Sequence, residues 1–306
     1  MIRDEKVEIV QVMQDYIKKN IQYQDFCLDK MYEKIGYSKR HADRLFIEFL
    51  NMTPIAYVRK IRLTTGSKEI LDTDKRIIDI AIEAGYDSHE GFIRAFEAAF
   101  KFTPKEYRKN PKAIPLFVQY PIKSYYTYLN HRERLEMNND SMLCMITPVK
   151  RKKRKLIILR STKGHDYWSF CEEMGCDWEG MLNSIPEKID VAAIVELPGC
   201  LYKDGTTHVA AGVEVPYEYC AEIPKGYEVV DIAEGMMLYF QTESFTNEED
   251  YGAAINSVFK AIDKYDPNKY GYQYDFDVAP KFNYGASLDM GAKMALPVKL
   301  IQEVSL

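Results

Sequence analysis

The most regular pattern of apolar and polar positions in the chain recurs about fifty residues further on. In Arg76–Ala84, apolar residues fall at 77, 78, 80, 81, 82 and 84, enough to bury one face of a short helix. Gly85 follows, where a helix end needs positive φ. Ser88 is placed to cap a second helix, on which Phe92, Ile93 and Phe96 share a face. Residues 28–50 repeat the design with Leu28, Met31 and Ile35, then Gly36, Ser38, and a helix carrying Leu45, Phe46, Phe49 and Leu50. The segment between them, Tyr57–Leu71, carries Ile61, Leu63, Ile70 and Leu71 and is expected to form one long helix.

The two copies share residues as well as pattern. At a constant offset, Ser38 matches Ser88, Arg44 matches Arg94, Phe46 matches Phe96, Thr53-Pro54 matches Thr103-Pro104, and Tyr57 matches Tyr107. So many identities in one register mark an internal repeat. Helix, glycine turn and capped helix make up the helix-turn-helix unit, whose second helix sets its first residues against base edges in the major groove.

Beyond residue 112 the pattern changes. Ile114–Gln119 reads as a short strand, Tyr125–Leu135 as a helix, and Met137–Thr147 has no clear period, so 113–152 is expected as a connector. From 153 to 306 the order becomes strand, helix, strand, strand, twice over. Leu156–Arg160, helical Tyr167–Met174 and Trp178–Ile185, Val191–Glu196 and Thr207–Val215 form the first copy. Tyr227–Ala233, Met236–Gln241, helical Glu248–Tyr265, Gly271–Tyr284 and Lys293–Ile301 form the second. The fold class expected is an all-α double helix-turn-helix domain at 1–112, followed by an α+β domain with a pseudo-twofold repeat. One sheet face is expected under helices and the other open.

Charge separates the halves. Residues 1–112 carry 21 Lys+Arg against 18 Asp+Glu, a net +3; residues 156–306 carry 11 against 25, a net −14. The segment between them is basic, mostly through the run 150–155 (Lys, Arg, Lys, Lys, Arg, Lys), a candidate for phosphate contact. The cysteines at 27, 144, 171, 176, 200 and 220 include no C-x-x-C pair, so no zinc site is expected. The N-terminus MIRDEKVEIV lacks an apolar leader core, and no stretch approaches the length of a membrane span. A reducing cytoplasm, in association with the nucleoid, is the expected setting, and no cofactor is expected.

On the exposed side of the second helices, copy one offers Lys39, Arg40, Asp43 and Arg44, and copy two His89, Glu90, Ile93 and Arg94. Arg can hold guanine or phosphate, and the carboxylates can accept from cytosine. In the rear half, tyrosine and phenylalanine cluster with acids in or beside the expected strands. The candidate ligand residues are Trp168, Trp178, Glu214, Tyr217, Tyr239, Tyr272, Tyr274 and Asp275. Aromatic faces beside a carboxylate suit a cationic or amphipathic compound.

Residues 8–110 closely resemble the AraC/XylS family of bacterial regulators. The resemblance is carried by G-Y-S-x-x-x-x-x-R-x-F at 36–46, T-P-x-x-Y at 53–57, I-A-x-x-x-G-Y at 80–86, S-x-x-x-x-x-R-x-F at 88–96 and T-P-x-x-Y-R at 103–108. It implies seven helices with recognition helices at 39–50 and 89–100, double-stranded promoter DNA as partner, and RNA polymerase as a further one. Gly66 stands where the family has a small Ala. Residues 153–302 resemble the GyrI-like effector-binding domain of Rob-like and multidrug-sensing regulators. The carriers are D-Y-W-S-F-C-E-E-M-G-C-D-W-E-G at 166–180, A-A-G-V-E-V-P at 210–216 and Y-G-Y-Q-Y-D at 270–275. That resemblance implies an acid in an aromatic pocket, a role that falls to Asp275 or Glu214.

The whole therefore reads as a sequence-specific transcription regulator with a small-molecule effector, and not as an enzyme. Two alternatives stay open for the rear domain: a small hydrolase using Glu214 with His208 or Tyr217, and an interaction module without a ligand. No nucleophile–base motif accompanies the first.

Overall fold

The computed structural model describes residues 3–23, 25–123, 142–175, 177–247 and 250–301. The chain divides into two compact units, 1–130 and 131–306.

The first unit is helical: α1 (Arg3–Asn20), α2 (Leu28–Ile35), α3 (Lys39–Leu50), α4 (Pro54–Asp72), α5 (Ile77–Glu83), α6 (His89–Phe100) and α7 (Pro104–Lys109). The expected stop and start signals act as such. Gly36 and Gly85 take φ of 69° and 81°, a conformation that costs an L side chain energy. Ser38 Oγ accepts from the His41 amide at 3.4 Å, and Ser88 Oγ from the Gly91 amide at 3.0 Å. The helices form two small cores. Val10, Met13 and Ile17 of α1 pack with Met31, Leu45, Phe46 and Tyr57, whereas Leu63 and Ile70 pack with Ile80, Phe92, Phe96 and Tyr107. Helix α4 belongs to both cores, and its 19 residues span roughly 28 Å at 1.5 Å per residue. Gly66 is needed where α4 meets α6: a Cβ there would lie 2.8 Å from the Phe92 ring.

The segment after α7 is not a strand. Ile114 and Leu116 enter the second core, and Phe117 and Ile122 the first. Its backbone is satisfied by side chains: the Phe117 amide donates to Thr64 Oγ1 at 2.7 Å, and the Ile122 amide to Gln14 Oε1 at 2.9 Å. The strand expected at 114–119 therefore does not form, and the start of the expected connector packs on the helical unit. The helix expected at Tyr125–Leu135 lies outside the described residues.

The second unit holds one antiparallel sheet: β1 (Cys144–Arg151), β2 (Arg154–Arg160), β3 (Ala193–Glu196), β4 (Val209–Pro216), β5 (Glu228–Ile232), β6 (Gly235–Thr242), β7 (Tyr272–Tyr274), β8 (Lys281–Ser287) and β9 (Gly291–Leu300). Helices α8 (Tyr167–Met174), α9 (Asp177–Asn183) and α10 (Tyr251–Lys264) accompany it. Residues 144–151 of the expected connector thus form a strand of the sheet, and the single strand expected at Gly271–Tyr284 is two, interrupted at 275–280.

The strand order is β1-β6-β9-β8-β3-β4-β2-β5, with β7 also on β9. The expected pseudo-twofold repeat is visible in it, as β6-β9-β8 mirrors β2-β4-β3. The outermost strands correct the expected open face. β1 runs into β2 through Lys152 and Lys153, and β5 into β6 through Ala233 and Glu234, yet the joined strands stand toward opposite ends of the order. The register continues across the gap: Arg151 faces Gly235, and Arg154 faces Ile232. β1–β2 and β5–β6 are therefore one long kinked ribbon that curls the sheet back on itself. The face away from α10 is concave, and Leu156, Ile158, Ala210, Met237 and Phe282 on it are buried. The opposite face of β6 and β9 packs Leu238, Phe240 and Leu296 against Ala254 and Val258 of α10.

Candidate nucleic-acid interface and effector site

Each expected recognition helix, α3 and α6, begins at a capping serine and turns its polar side outward. On α3, Lys39, Arg40 and Arg44 are exposed, and with Asp43 and Ile47 they line one shallow concavity. Asp43 is tethered rather than free to read a base, because its Oδ1 accepts from the Tyr32 hydroxyl at 2.8 Å. Burial, and then that hydrogen bond, raise the Tyr32 pKa. Arg44 Nη2 lies 3.2 Å from His41 Nδ1, and His41 stacks on Tyr37 at 5.0 Å between centroids. His41 therefore positions Arg44, a role the residue pattern did not signal. On α6, Arg94 and Glu90 are exposed, while His89 and Ile93 are half-buried. His89 Nδ1 lies 3.9 Å from Glu90 Oε1.

The rear candidates do not converge. Trp178 is buried against Phe170, and Trp168 stacks edgewise on Tyr167. Tyr272 and Tyr274 join the α10 core. Asp275 follows β7, its amide bonded to the Pro297 carbonyl at 2.9 Å and its carboxylate 3.7 Å from Lys299 Nζ. Tyr217 is partly exposed, under Lys153 Nζ at 3.9 Å from its ring centre. Of the eight, only Glu214 and Tyr239 face the concave interior together. The reason is strand parity: Tyr239 shares a face with Ala295 and Phe282, whereas Tyr274 pairs with Val298 on the helix side.

Around Glu214 and Tyr239 the interior gathers groups outside the expected set. Glu214, 2% exposed, accepts from Arg154 Nε, whose side chain is also 2% exposed. Arg151 donates to the Tyr239 hydroxyl and lies 3.3 Å from Asp190 and 3.9 Å from Glu214 Oε2. Lys293 Nζ lies 2.6 Å from Asp190 Oδ1 and 4.3 Å from the centre of the Tyr284 ring. The Tyr239 and Tyr284 hydroxyls are 3.4 Å apart. Burial, and then nearby Glu214, hold the Tyr284 hydroxyl protonated far above neutral pH. Arg151 and Arg154 belong to the basic run expected at phosphates, but both turn inward; Lys150, Lys152 and Lys153 stay exposed. Beginning β2 at residue 154 would have revealed this, since Arg154 then alternates in phase with Leu156 and Ile158.

Of the two pairings considered for hydrolysis, that of Glu214 with His208 is not made. Glu214 and His208 are six residues apart along an extended segment, about 20 Å at strand rise, and the His208 ring faces His165. Among the described residues no group of His, Cys, Asp and Glu is placed to hold a metal, and no helix is long and apolar enough to cross a membrane.

A family profile described as a helix-turn-helix domain matches residues 31–110. The transposon Tn10 TetD protein of Escherichia coli is 38% identical over 95 residues, 31% of this chain and 68% of that protein. The regulatory protein SoxS of Salmonella typhimurium is 35% identical over 101 residues, 33% of this chain and 94% of that protein. A solved structure of a protein bound to tetraphenylphosphonium covers 53% of this chain and 98% of its own, at 14% identity and a TM-score of 0.33. The likeness to TetD and SoxS spans most of each relative, the profile match takes in both capped second helices, and on that ground the chain belongs to the AraC/XylS family of DNA-binding transcription regulators.

Proposed function

We propose that the helical unit reads promoter DNA with Arg40, Arg44, His89 and Arg94, and that the curled sheet senses a small-molecule effector in its concave interior. The observation that carries the first part is the matched presentation of two helix starts, each opened by a capping serine and each bearing an exposed Arg six residues after it, Arg44 and Arg94. The second part is supported by the interior itself, where charged and phenolic groups are gathered in an otherwise apolar concavity. Ligand pockets have this make-up, apolar walls with a few convergent polar groups. An effector alters promoter occupancy only through different affinities for two states of the protein. RNA polymerase is the partner through which an occupied promoter would be read out.

The test is selection of genomic fragments by the full chain near physiological salt. Enrichment of a few fragments sharing an asymmetric motif about two turns long is the expected result. Salt-sensitive binding without sequence preference, with and without cell extract as a source of effector, would overturn the base-reading assignment.

A further inference from the structure

The sign of charge in the concave interior runs opposite to that of the domain around it. Three cations, Arg151, Arg154 and Lys293, face two acids, Glu214 and Asp190. The interior cluster is thus one positive charge in excess, within a unit, 131–306, that carries 19 basic against 28 acidic residues. Neither acid is available to a cationic ligand. Glu214 is held by the equally buried Arg154, and Asp190 is shared between Arg151 at 3.3 Å and Lys293 at 2.6 Å. A ligand cation would have to displace one of these partners and leave it buried and unmatched, which is costly.

The hydrogen-bond inventory leans the same way. Arg151 donates to the Tyr239 hydroxyl, and the Tyr239 and Tyr284 hydroxyls lie 3.4 Å apart. A contact between two hydroxyls uses one proton, so the pair keeps one O–H to donate elsewhere. Arg154 Nη2 is buried and has no hydrogen-bond partner among the described residues. The acceptor left over, Glu214 Oε2, already lies 3.9 Å from Arg151 Nη2. The uncommitted capacity is therefore mostly donor capacity. It sits beside two stacked rings, Tyr239 and Tyr284, at 6.2 Å and 19°.

We infer that this cluster takes a ligand with a single negative charge, a carboxylate or equivalent, on a flat aromatic or apolar body. Lys293 and Arg151 would meet the anion, and the Tyr239–Tyr284 hydroxyl pair would donate to it. The inference rests on the effector-site reading above and replaces the cation expected from sequence.

The test uses two flat ions of nearly the same shape and opposite charge, benzoate and benzamidinium. Each is titrated calorimetrically into the full chain and into Lys293→Gln, which keeps a side chain able to bond Asp190. The expected result is at least tenfold tighter binding of benzoate than of benzamidinium, with that preference lost in Lys293→Gln. Tighter binding of benzamidinium would overturn the charge assignment and leave the effector site standing. Binding of benzoate unchanged in Lys293→Gln would overturn the placement of the anion. Binding of neither ion up to tens of millimolar would overturn the effector-site reading and this inference with it.

Discussion

The Glu214–Arg154 pair permits a test of the curled sheet that does not depend on knowing a ligand. Both side chains are 2% exposed, and the link is one carboxylate oxygen on Arg154 Nε. Removing one member of such a pair costs about 3–5 kcal/mol, because the other charge stays buried without its match. Two contacts temper the loss in Glu214→Ala. Arg154 Nη1 also reaches the Lys152 and Ala233 carbonyls at 3.3 and 3.2 Å. A figure of about 3 kcal/mol is therefore expected, at the lower end of that range. Arg154→Met should cost a similar amount, since it leaves Glu214 facing only Arg151 at 3.9 Å. The double variant removes both charges and should cost about 2 kcal/mol or more less than the sum of the singles, within the coupling measured between residues in contact. The assay is equilibrium urea unfolding followed by tryptophan fluorescence. The chain has two tryptophans, Trp168 and Trp178, and both report on the second unit. A cost below about 1 kcal/mol for Glu214→Ala, or strict additivity in the double variant, would refute the reasoning, because an exposed pair behaves that way.

The remaining predictions concern the DNA face, the α4–α6 contact and acid stability. Arg44→Ala and Arg94→Ala should each cost about 1–3 kcal/mol of specific binding in anisotropy titrations; an equal loss on every sequence, with a shallower salt slope, would reassign them to phosphates. Gly66→Ala gains up to about 1 kcal/mol of helix propensity but places a Cβ 2.8 Å from the Phe92 ring. Overpacking of that kind costs about 1–3 kcal/mol, so a lower Tm of the helical unit by circular dichroism is expected, and Gly66→Ala with Phe92→Leu should regain part of it. Glu173 accepts from the Ser161 and Thr162 hydroxyls and from the amides of 162–164. Burial alone would raise its pKa, but these bonds outweigh it and bring it down to about 2. A folded pKa below the ordinary 4.5 stabilises the fold above that value, and the contribution is lost as pH falls from there toward 2. Glu173→Gln should therefore flatten the acid limb of the tryptophan-monitored unfolding curve, and an unchanged limb would discount the anchor.

The two units differ in how much of them the sequence made legible, for a physical reason. In the helical unit the decisive signals are local. A glycine at positive φ, a serine cap and an apolar stripe each act within one or two turns, and α3 and α6 span 39–50 and 89–100, the bounds that the family resemblance implies. What stayed hidden there is what needs a distant neighbour, such as Phe92 excluding a side chain at Gly66, or Tyr32 tethering Asp43. In the sheet unit the elements were mostly legible but their partners were not. Alternation along β4 cannot show that β1 and β2 continue one ribbon toward opposite ends of the sheet. That closure makes the concave face an interior, and it separates the two candidate acids: Glu214 faces it, while Asp275 does not gather there. The same closure brings in Arg151 and Arg154, which read in sequence as part of a solvated basic run. Once those two arginines are counted inside, the interior is no longer an acid awaiting a cation. Acidic composition and aromatic content suggested a pocket for a cation; the sign of charge in the interior depends on a two-residue connection, Lys152 and Lys153, that composition does not register.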